Sequence, residues 1–121
     1  MPKRVLVIED HEDNRRILRD LLTSVGYEVM EAITGEQGIN LAAALMPDLI
    51  LMDIQLPGMD GYEATRRIKA NPRLRPIPII AVTSYALSGD SAKAFKAGCD
   101  AYVSKPFSPR ALLAKIGEFI R

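Results

Sequence analysis

The sequence has few of the features that mark secreted, membrane or nucleic-acid-binding proteins. Its single cysteine, Cys99, can form no internal disulfide, whereas secreted domains of this size usually carry paired cysteines. Its apolar runs are too short for a signal peptide or a membrane span. Sixteen basic and fifteen acidic residues leave a formal net charge of +1, which gives no overall field to attract nucleic acid or an anionic membrane. These absences favour a protein of the reducing cytoplasm that recognises its partners locally.

What the chain does have is the length and composition of one compact domain. Its 121 residues are 48% hydrophobic and 26% charged, which suffices to bury one core without disulfides or a structural metal. No repeat, low-complexity tract or linker divides the sequence. We therefore predict one domain over residues 1–121, with no effector domain.

Short apolar runs alternate with longer amphipathic stretches, a pattern typical of βαβ units. Five runs predict strands, at residues 5–8, 27–32, 49–52, 77–82 and 101–103. The first, third and fourth runs are apolar on both faces and predict central strands, whereas the other two predict edges. Joined by five helices, these strands predict an α/β fold with a doubly wound parallel sheet, for which we expect the common strand order 2-1-3-4-5. Such sheets bind ligands beyond the carboxyl ends of their strands.

Capping patterns predict where three of the helices begin. Thr34 with Gln37, and Asp60 with Glu63, have the spacing of capping boxes, and the Ser-Pro pair at 108–109 is a cap followed by a first-turn proline. Apolar stripes predict that the first and last helices dock on the sheet. The stripes comprise Ile17, Leu18, Leu21, Leu22 and Val25 in the first helix, and Leu112, Leu113, Ile116, Phe119 and Ile120 in the last. The stretch 88–97 has Phe95 as its only large apolar residue, which predicts the least firmly held helix.

Polar residues stand at the carboxyl ends of four predicted strands. They are Glu9 and Asp10 after the first, Asp53 after the third, Thr83 after the fourth and Lys105 after the fifth. In the predicted strand order, the first and third strands are neighbours, so the three carboxylates converge. Clustered carboxylates require a cation, and oxygen ligands suit Mg²⁺, with Mn²⁺ as a possible substitute.

This cluster predicts phosphoryl chemistry. A carboxylate can attack phosphorus to form an aspartyl phosphate, and catalysis of that step is mainly positioning and neutralisation of charge. Asp53 is the predicted nucleophile, with Asp10 and Glu9 as metal ligands. Lys105 is predicted to pair with a phosphoryl oxygen, or with Asp53 before reaction, and Thr83 to donate a hydrogen bond to the phosphoryl group.

Four motifs, in this order and at these strand ends, carry a resemblance to a known family. The sequence resembles the receiver domains of bacterial two-component response regulators, the CheY-like family, over the whole chain. Within that family it is most similar to stand-alone receivers of the DivK type and to receivers of hybrid sensor kinases. The motifs are Val-Leu-Val-Ile-Glu-Asp at 5–10, Asp-Leu-Ile-Leu-Met-Asp-Ile-Gln-Leu-Pro-Gly-Met-Asp-Gly at 48–61, Ala-Val-Thr-Ser at 81–84 and Ala-Tyr-Val-Ser-Lys-Pro-Phe at 101–107.

The resemblance implies a signalling switch and not an enzyme. A sensor histidine kinase or a histidine phosphotransfer protein would phosphorylate Asp53, and Thr83 and Tyr102 would move on phosphorylation. A downstream protein would then bind the face near Tyr102. Neither nucleic acid nor membrane is an expected partner.

The resemblance also assigns finer roles around the acceptor. Gln55 would give its backbone carbonyl to the metal, and Gln55 and Tyr85 would tune dephosphorylation. The peptide bond between Lys105 and Pro106 would be cis. Many receivers have aspartate at the first acidic position, so the longer Glu9 is expected to reach the metal through water.

Several alternatives remain open at this stage. An aspartate-nucleophile phosphatase would use a similar sheet, but it usually has a general-acid aspartate where Gln55 stands here. A flavodoxin-like FMN binder would share the strand order, but the acidic loop after the first strand would repel the FMN phosphate. The chain could also be cut from a larger hybrid kinase. His11 could bind a metal, although an exposed loop histidine needs no special role.

Overall fold

The computed structural model describes residues 2–84 and 90–120, and within them five strands alternate with five helices. The strands are β1 (Arg4–Ile8), β2 (Glu28–Ala32), β3 (Leu49–Asp53), β4 (Ile79–Thr83) and β5 (Ala101–Ser104). The helices are α1 (Glu12–Ser24), α2 (Gly35–Leu45), α3 (Gly61–Ala70), α4 (Asp90–Ala97) and α5 (Pro109–Gly117).

All strand pairs are parallel, and the sheet order is β2-β1-β3-β4-β5. This confirms the predicted fold class and places β2 and β5 at the edges. The carboxyl ends of β1 and β3 are adjacent at the point where the strand order reverses, since Ile8 pairs with Met52. A cleft at this end of the sheet therefore has residues from both strands beside it.

Two apolar cores lie on opposite faces of the sheet because successive residues of each strand point to opposite sides. On one face, Val5 and Val7 of β1 pack with Leu18 of α1 and Leu112 of α5. On the other face, residues including Leu6 and Ile8 pack with residues of α2, α3 and α4. The helices thus cover both faces and leave the carboxyl ends of the strands as the open rim.

Two predicted strand starts were too early. The Tyr27 N–H donates to the Leu22 carbonyl at 3.1 Å, so Tyr27 belongs to the turn that ends α1. The Ile77 N–H donates to the Leu74 carbonyl at 3.0 Å, which keeps Ile77 in the turn before β4. Both residues are apolar, so composition alone did not separate them from the strands that follow.

Two predicted stripes were too wide. Ile17 and Val25 are 57% and 51% exposed, because α1 meets the sheet mainly through Leu18 and Leu22. Phe119 is 37% exposed, while Leu112 and Ile116 fill the contact of α5. Phe95 is 52% exposed, and α4 packs through Ala94 and Ala97 instead. A single helix face buries fewer residues than a five-residue stripe contains.

All three predicted N-caps accept a hydrogen bond from the backbone N–H three residues later, at 2.9–3.0 Å. The reciprocal halves of the two capping boxes are not formed as predicted. Gln37 Oε1 accepts from the Ile33 N–H, one residue before the cap, and Glu63 pairs with Arg66 and Arg67.

No helix within residues 2–84 and 90–120 is long and apolar enough to cross a bilayer.

Candidate functional site

The predicted site residues of β1, β3, β4 and β5 lie at the same rim of the sheet. Glu9, Asp53 and Thr83 are buried there, with 2%, 5% and 2% of their surfaces exposed. Asp10 and Lys105 are half-buried at the opening. Buried polar residues need partners, so their contacts define what this rim can do.

The backbone around Asp53 is fixed by close packing against α3. The Gly61 N–H donates to the Ile54 carbonyl at 2.9 Å. A Cβ atom at Gly61 would lie only 2.4 Å from the Asp53 carbonyl oxygen and 2.7 Å from Ile54 Cα. The Gln55 N–H donates to Asp53 Oδ1 at 3.0 Å. Both the main chain and the carboxylate of Asp53 are therefore held in position.

Lys105 pairs with Glu9. The prediction from the sequence was that, before reaction, Lys105 would pair with Asp53. Lys105 Nζ donates to Glu9 Oε1 at 2.9 Å across a part-buried contact. Glu9 Oε2 accepts from the His11 N–H at 3.0 Å. The extra methylene of glutamate, relative to aspartate, lets this carboxylate extend to the lysine. Lys105 thus neutralises the buried acid that stands beside Asp53.

The two buried carboxylates have pKa values displaced in opposite directions. Burial, and to a smaller extent the negative charge of Glu9, raise the pKa of Asp53 to about 6, against the hydrogen bond from the Gln55 N–H, which lowers it. Burial also acts to raise the pKa of Glu9, but hydrogen bonds from Lys105 and the His11 N–H outweigh it and lower that pKa to about 2. At neutral pH both groups are ionised, so the rim holds two buried negative charges and one lysine.

The residues present fit a divalent cation. Asp10 Oδ1 is buried and has no hydrogen-bond partner among the described residues. Ligand atoms of Glu9, Asp10 and His11 lie within 4.8 Å of one another. Oxygen donors with excess negative charge are the ligands that Mg²⁺ and Mn²⁺ prefer. A bound cation would give Asp10 Oδ1 its missing partner.

Arg15 shapes the acidic loop and was missed in the sequence analysis. Its Nη1 donates to the backbone carbonyls of Glu9 and Asp10, each at 3.0 Å, and its side chain is only 12% exposed. A signal was present, because Arg15 lies three residues before Leu18 and seven before Leu22, on the buried face of α1. Arg15 is a positioning residue, since it fixes the loop that presents the acid pair.

The remaining predicted residues are Pro106, Tyr102, Gln55 and Tyr85. The Lys105–Pro106 peptide bond is cis, as the resemblance implies. Tyr102 is half-buried and packs against the core on the sheet face that α2, α3 and α4 cover. Gln55 Nε2 is buried and has no hydrogen-bond partner among the described residues. Tyr85 lies outside the described residues. The assigned roles of these residues in the metal site, the switch and dephosphorylation stay predictions.

Comparison with known proteins relates this fold and rim to one family. The chain is 43% identical, over 120 residues, to the polar-differentiation response regulator DivK of Brucella anthropi. The aligned region covers 99% of this chain and 98% of that protein. DivK of Brucella ovis is 42% identical over the same shares. Both relatives are matched along nearly their whole length.

Solved structures agree with these relatives. One is the receiver domain of a sensor histidine kinase of Pseudomonas aeruginosa, solved with a magnesium ion coordinated in its active-site cleft. It is 38% identical to this chain, with a TM-score of 0.92, and the match covers 99% of this chain and 98% of that one. A receiver domain protein of Methanospirillum hungatei is 35% identical with a TM-score of 0.90, covering 98% and 93%.

The family model described as the response regulator receiver domain matches residues 5–117, from the second residue of β1 to the end of α5. With the fold, the acidic rim and these relatives, the chain belongs to the response regulator receiver domain family of two-component signalling.

Proposed function

We propose that this chain is a phosphoryl-accepting switch in which Asp53 takes a phosphoryl group from a histidine of a sensor kinase or phosphotransfer protein. The observation that carries the proposal is the carboxylate of Asp53 at the buried end of a central strand, beside Glu9 and within reach of the charge of Lys105. A structural aspartate would not need this concentration of charge around it.

The proposed transfer is a substitution at phosphorus. An oxygen of Asp53 forms the new O–P bond while the N–P bond to the donor histidine breaks, and the departing imidazole takes up a proton. The Gln55 N–H fixes the orientation of the attacking carboxylate. Lys105 can move from Glu9 to a phosphoryl oxygen, and Thr83 lies buried at the end of the adjacent strand, where its hydroxyl could donate to another.

The proposed cofactor is Mg²⁺, held by Asp10 and Asp53, with Glu9 acting through water and Gln55 giving its carbonyl. When bound, the ion supplies positive charge for the oxygens of the transferring group. The ion also removes the repulsion between the ionised carboxylates.

The direct test is phosphorylation by a small donor. Incubation with Mg²⁺ and acetyl phosphate should add the mass of one phosphoryl group, and tryptic mapping should place it on Asp53. Asp53→Ala should abolish the addition, whereas Asp13→Asn, at an exposed acidic residue in the first turn of α1, should not. Addition that persists in Asp53→Ala would overturn the proposal.

We do not expect turnover on free phosphate esters. Gln55 stands two residues after the nucleophile, and its amide cannot serve as a general acid at neutral pH. Hydrolysis of a generic phosphate ester at about 1 per second or faster would indicate a phosphatase instead.

The protein donor is proposed to dock on an apolar groove beside the site. The groove has a volume of about 350 Å³ and includes Lys105, Pro106 and Phe107 on one side and Ile17 and Leu21 of α1 on the other. Because a donor histidine must reach Asp53, the donor has to contact the rim that Lys105 shares with this groove. Ile17, 57% exposed, gives the donor an apolar contact.

A charge in the groove separates docking from chemistry. Ile17→Glu should slow transfer from a phosphorylated histidine protein by at least about tenfold, which corresponds to about 1.4 kcal/mol. It should leave phosphorylation by acetyl phosphate unchanged. Phe95→Glu, at a similarly exposed apolar residue on α4, is the matched control and should spare both reactions. Equal slowing with both donors would place the defect in the site and not in docking.

The proposed output is protein binding at the face near Tyr102, controlled by Thr83 and Tyr102. Tyr102 packs at the edge strand β5, where a small rearrangement can alter the exposed surface. We propose that the domain acts in the cytoplasm as a receiver similar to DivK. Tyr102→Ala should weaken the phosphorylation-dependent binding of a downstream protein while leaving phosphorylation intact.

A further inference from the structure

We infer that His11 is an additional ligand of the divalent-metal site and that it moves the metal preference of the site from Mg²⁺ toward transition-metal ions. The inference rests on the proposed function, because it adds a residue to the same site. His11 directly follows the acid pair, in the loop that leads into α1. Its side chain is 70% exposed, so the ring can turn without disturbing the core.

The imidazole and two carboxylates are spaced like neighbouring ligands of one ion. His11 Nδ1 lies 3.3 Å from Asp10 Oδ1 and 3.4 Å from Glu9 Oε2. Neighbouring ligands of a six-coordinate ion with bonds of about 2.1 Å are about 3 Å apart. Displacements of a few tenths of an ångström, about the difference between these separations, would bring Nδ1 and Asp10 Oδ1 into contact with one ion.

A separate observation points to a cation-binding position here. Asp10 Oδ1 is buried and accepts no hydrogen bond from the described residues, although His11 Nδ1 is near it. A buried carboxylate oxygen without a partner costs free energy. A metal ion bound by both atoms supplies that partner.

The other acid of the pair is already engaged. Glu9 Oε1 accepts from Lys105 Nζ, and Glu9 Oε2 accepts from the His11 N–H. Among the atoms of this loop cluster, His11 Nδ1 is therefore the ligand that remains beside Asp10. An all-oxygen site suits Mg²⁺, whereas an imidazole nitrogen favours ions such as Co²⁺, Ni²⁺ and Zn²⁺.

Electron spin-echo spectroscopy of the full chain loaded with Mn²⁺ tests the nitrogen bond directly. His11 is the only histidine in the sequence, so with no affinity tag present an imidazole nitrogen signal can come only from His11. We expect nitrogen modulation in the wild type and its loss in His11→Asn. Asp13→Asn is the control for lost charge near the site and should keep the signal.

Metal affinities measured by calorimetry give a second readout. His11→Asn should weaken Co²⁺ binding by at least about tenfold, the lower end of the loss expected for removing even an outer partner of a metal site. Its Mg²⁺ affinity should change much less. Equal losses for both ions, or an unchanged preference for Co²⁺, would overturn the inference.

The outcomes also distinguish this inference from the proposed function. If Mn²⁺ binds without nitrogen modulation while Asp53 is still phosphorylated with Mg²⁺, the role of His11 is wrong and the proposed function stands. If nitrogen modulation is present but acetyl phosphate never modifies Asp53, the ligand assignment stands and the proposed function is wrong.

Discussion

Asp53 occupies surroundings that oppose its own charge. Its pKa rises from the ordinary 3.8 to about 6 through burial and through the negative charge of Glu9. The folded chain therefore binds this proton more tightly than the unfolded chain, so the ionised carboxylate destabilises the fold above about pH 6. The destabilisation fades as the pH falls toward 3.8.

Asp53→Asn should consequently stabilise the metal-free protein at pH 7.5 by about 2–3 kcal/mol, the free-energy equivalent of about two pKa units. Urea unfolding in EDTA across pH 4 to 8 measures the difference, which should be near zero at about pH 4 and constant above about pH 6.5. Asp13→Asn, at an exposed carboxylate, should show no such pH profile. A gain independent of pH would mean that the charge of Asp53 is not the cause.

Gly61 controls how closely α3 approaches Asp53. A methyl group there would meet the Asp53 carbonyl oxygen at 2.4 Å, and because the obstacle is backbone, it cannot move aside cheaply. Gly61→Ala should cost about 1–3 kcal/mol of stability and slow phosphorylation of Asp53 by acetyl phosphate. Chemical denaturation and mass spectrometry measure the two effects.

The matched control is Gly117→Ala in α5, where a methyl group meets nothing within 4 Å. It should be neutral or slightly stabilising. If Gly61→Ala leaves both stability and phosphorylation at wild-type values, the close approach does not constrain the site.

At the residue scale, the positions of the candidate residues were easier to predict than their contacts. The position of each at a strand end follows from apolar patterning, which is local. The pairing of Lys105 with Glu9 depends on side-chain reach between residues 96 positions apart. Arg15 was missed because its role is a contact with two backbone carbonyls, which no motif records.

At the scale of elements, Lys69 fastens α3 to the start of β4. Its ammonium donates to the carbonyls of Arg75 and Ile77 at 2.9 and 2.8 Å and to Asp100 Oδ2 at 3.0 Å. Asp100 Oδ2 also accepts from the Ile79 N–H at 2.8 Å. One side chain thus links α3, the turns before β4 and the residue before β5.

Lys69→Met should remove all three donors while keeping most of the apolar stem, and should lower the free energy of unfolding by about 2 kcal/mol. Guanidinium unfolding measures the loss. Lys96→Met, at an exposed lysine of α4 with no ion pair among the described residues, should change stability by less than about 0.5 kcal/mol. Equal effects of the two substitutions would show that the Lys69 contacts contribute nothing beyond general charge.

Element identity was predictable, whereas element edges and buried faces were less so. The caps at Thr34, Asp60 and Ser108 predicted where three helices begin. In each, the side-chain oxygen accepts a hydrogen bond from a backbone N–H of the first turn, which has no partner within the helix. Tyr27 and Ile77 were assigned to strands because apolar residues of a turn and of a strand look alike in composition. Tertiary hydrogen bonds decided those two positions.

At the scale of the whole molecule, apolar patterning predicted the two edge strands, whereas the order of the three central strands was taken from the arrangement that is common for such sheets. The rim that this order creates joins residues from four strands into one site. A metal ion bound at this rim should therefore stabilise the whole domain against unfolding and not a single loop. Metal binding tests this connection.

Mg²⁺ should raise the thermal unfolding midpoint of the wild type in proportion to the logarithm of its concentration. At 100 times the dissociation constant, mass action adds about 2.7 kcal/mol, which for a chain of this length is about 10 °C. Scanning calorimetry measures the shift, with NaCl at equal ionic strength as the reference. Asp10→Asn should lose most of it, since Asp10 Oδ1 is the buried oxygen that lacks a partner. An equal rise in NaCl, or in Asp10→Asn, would show that the ion acts by screening surface charge and that the rim holds no specific metal.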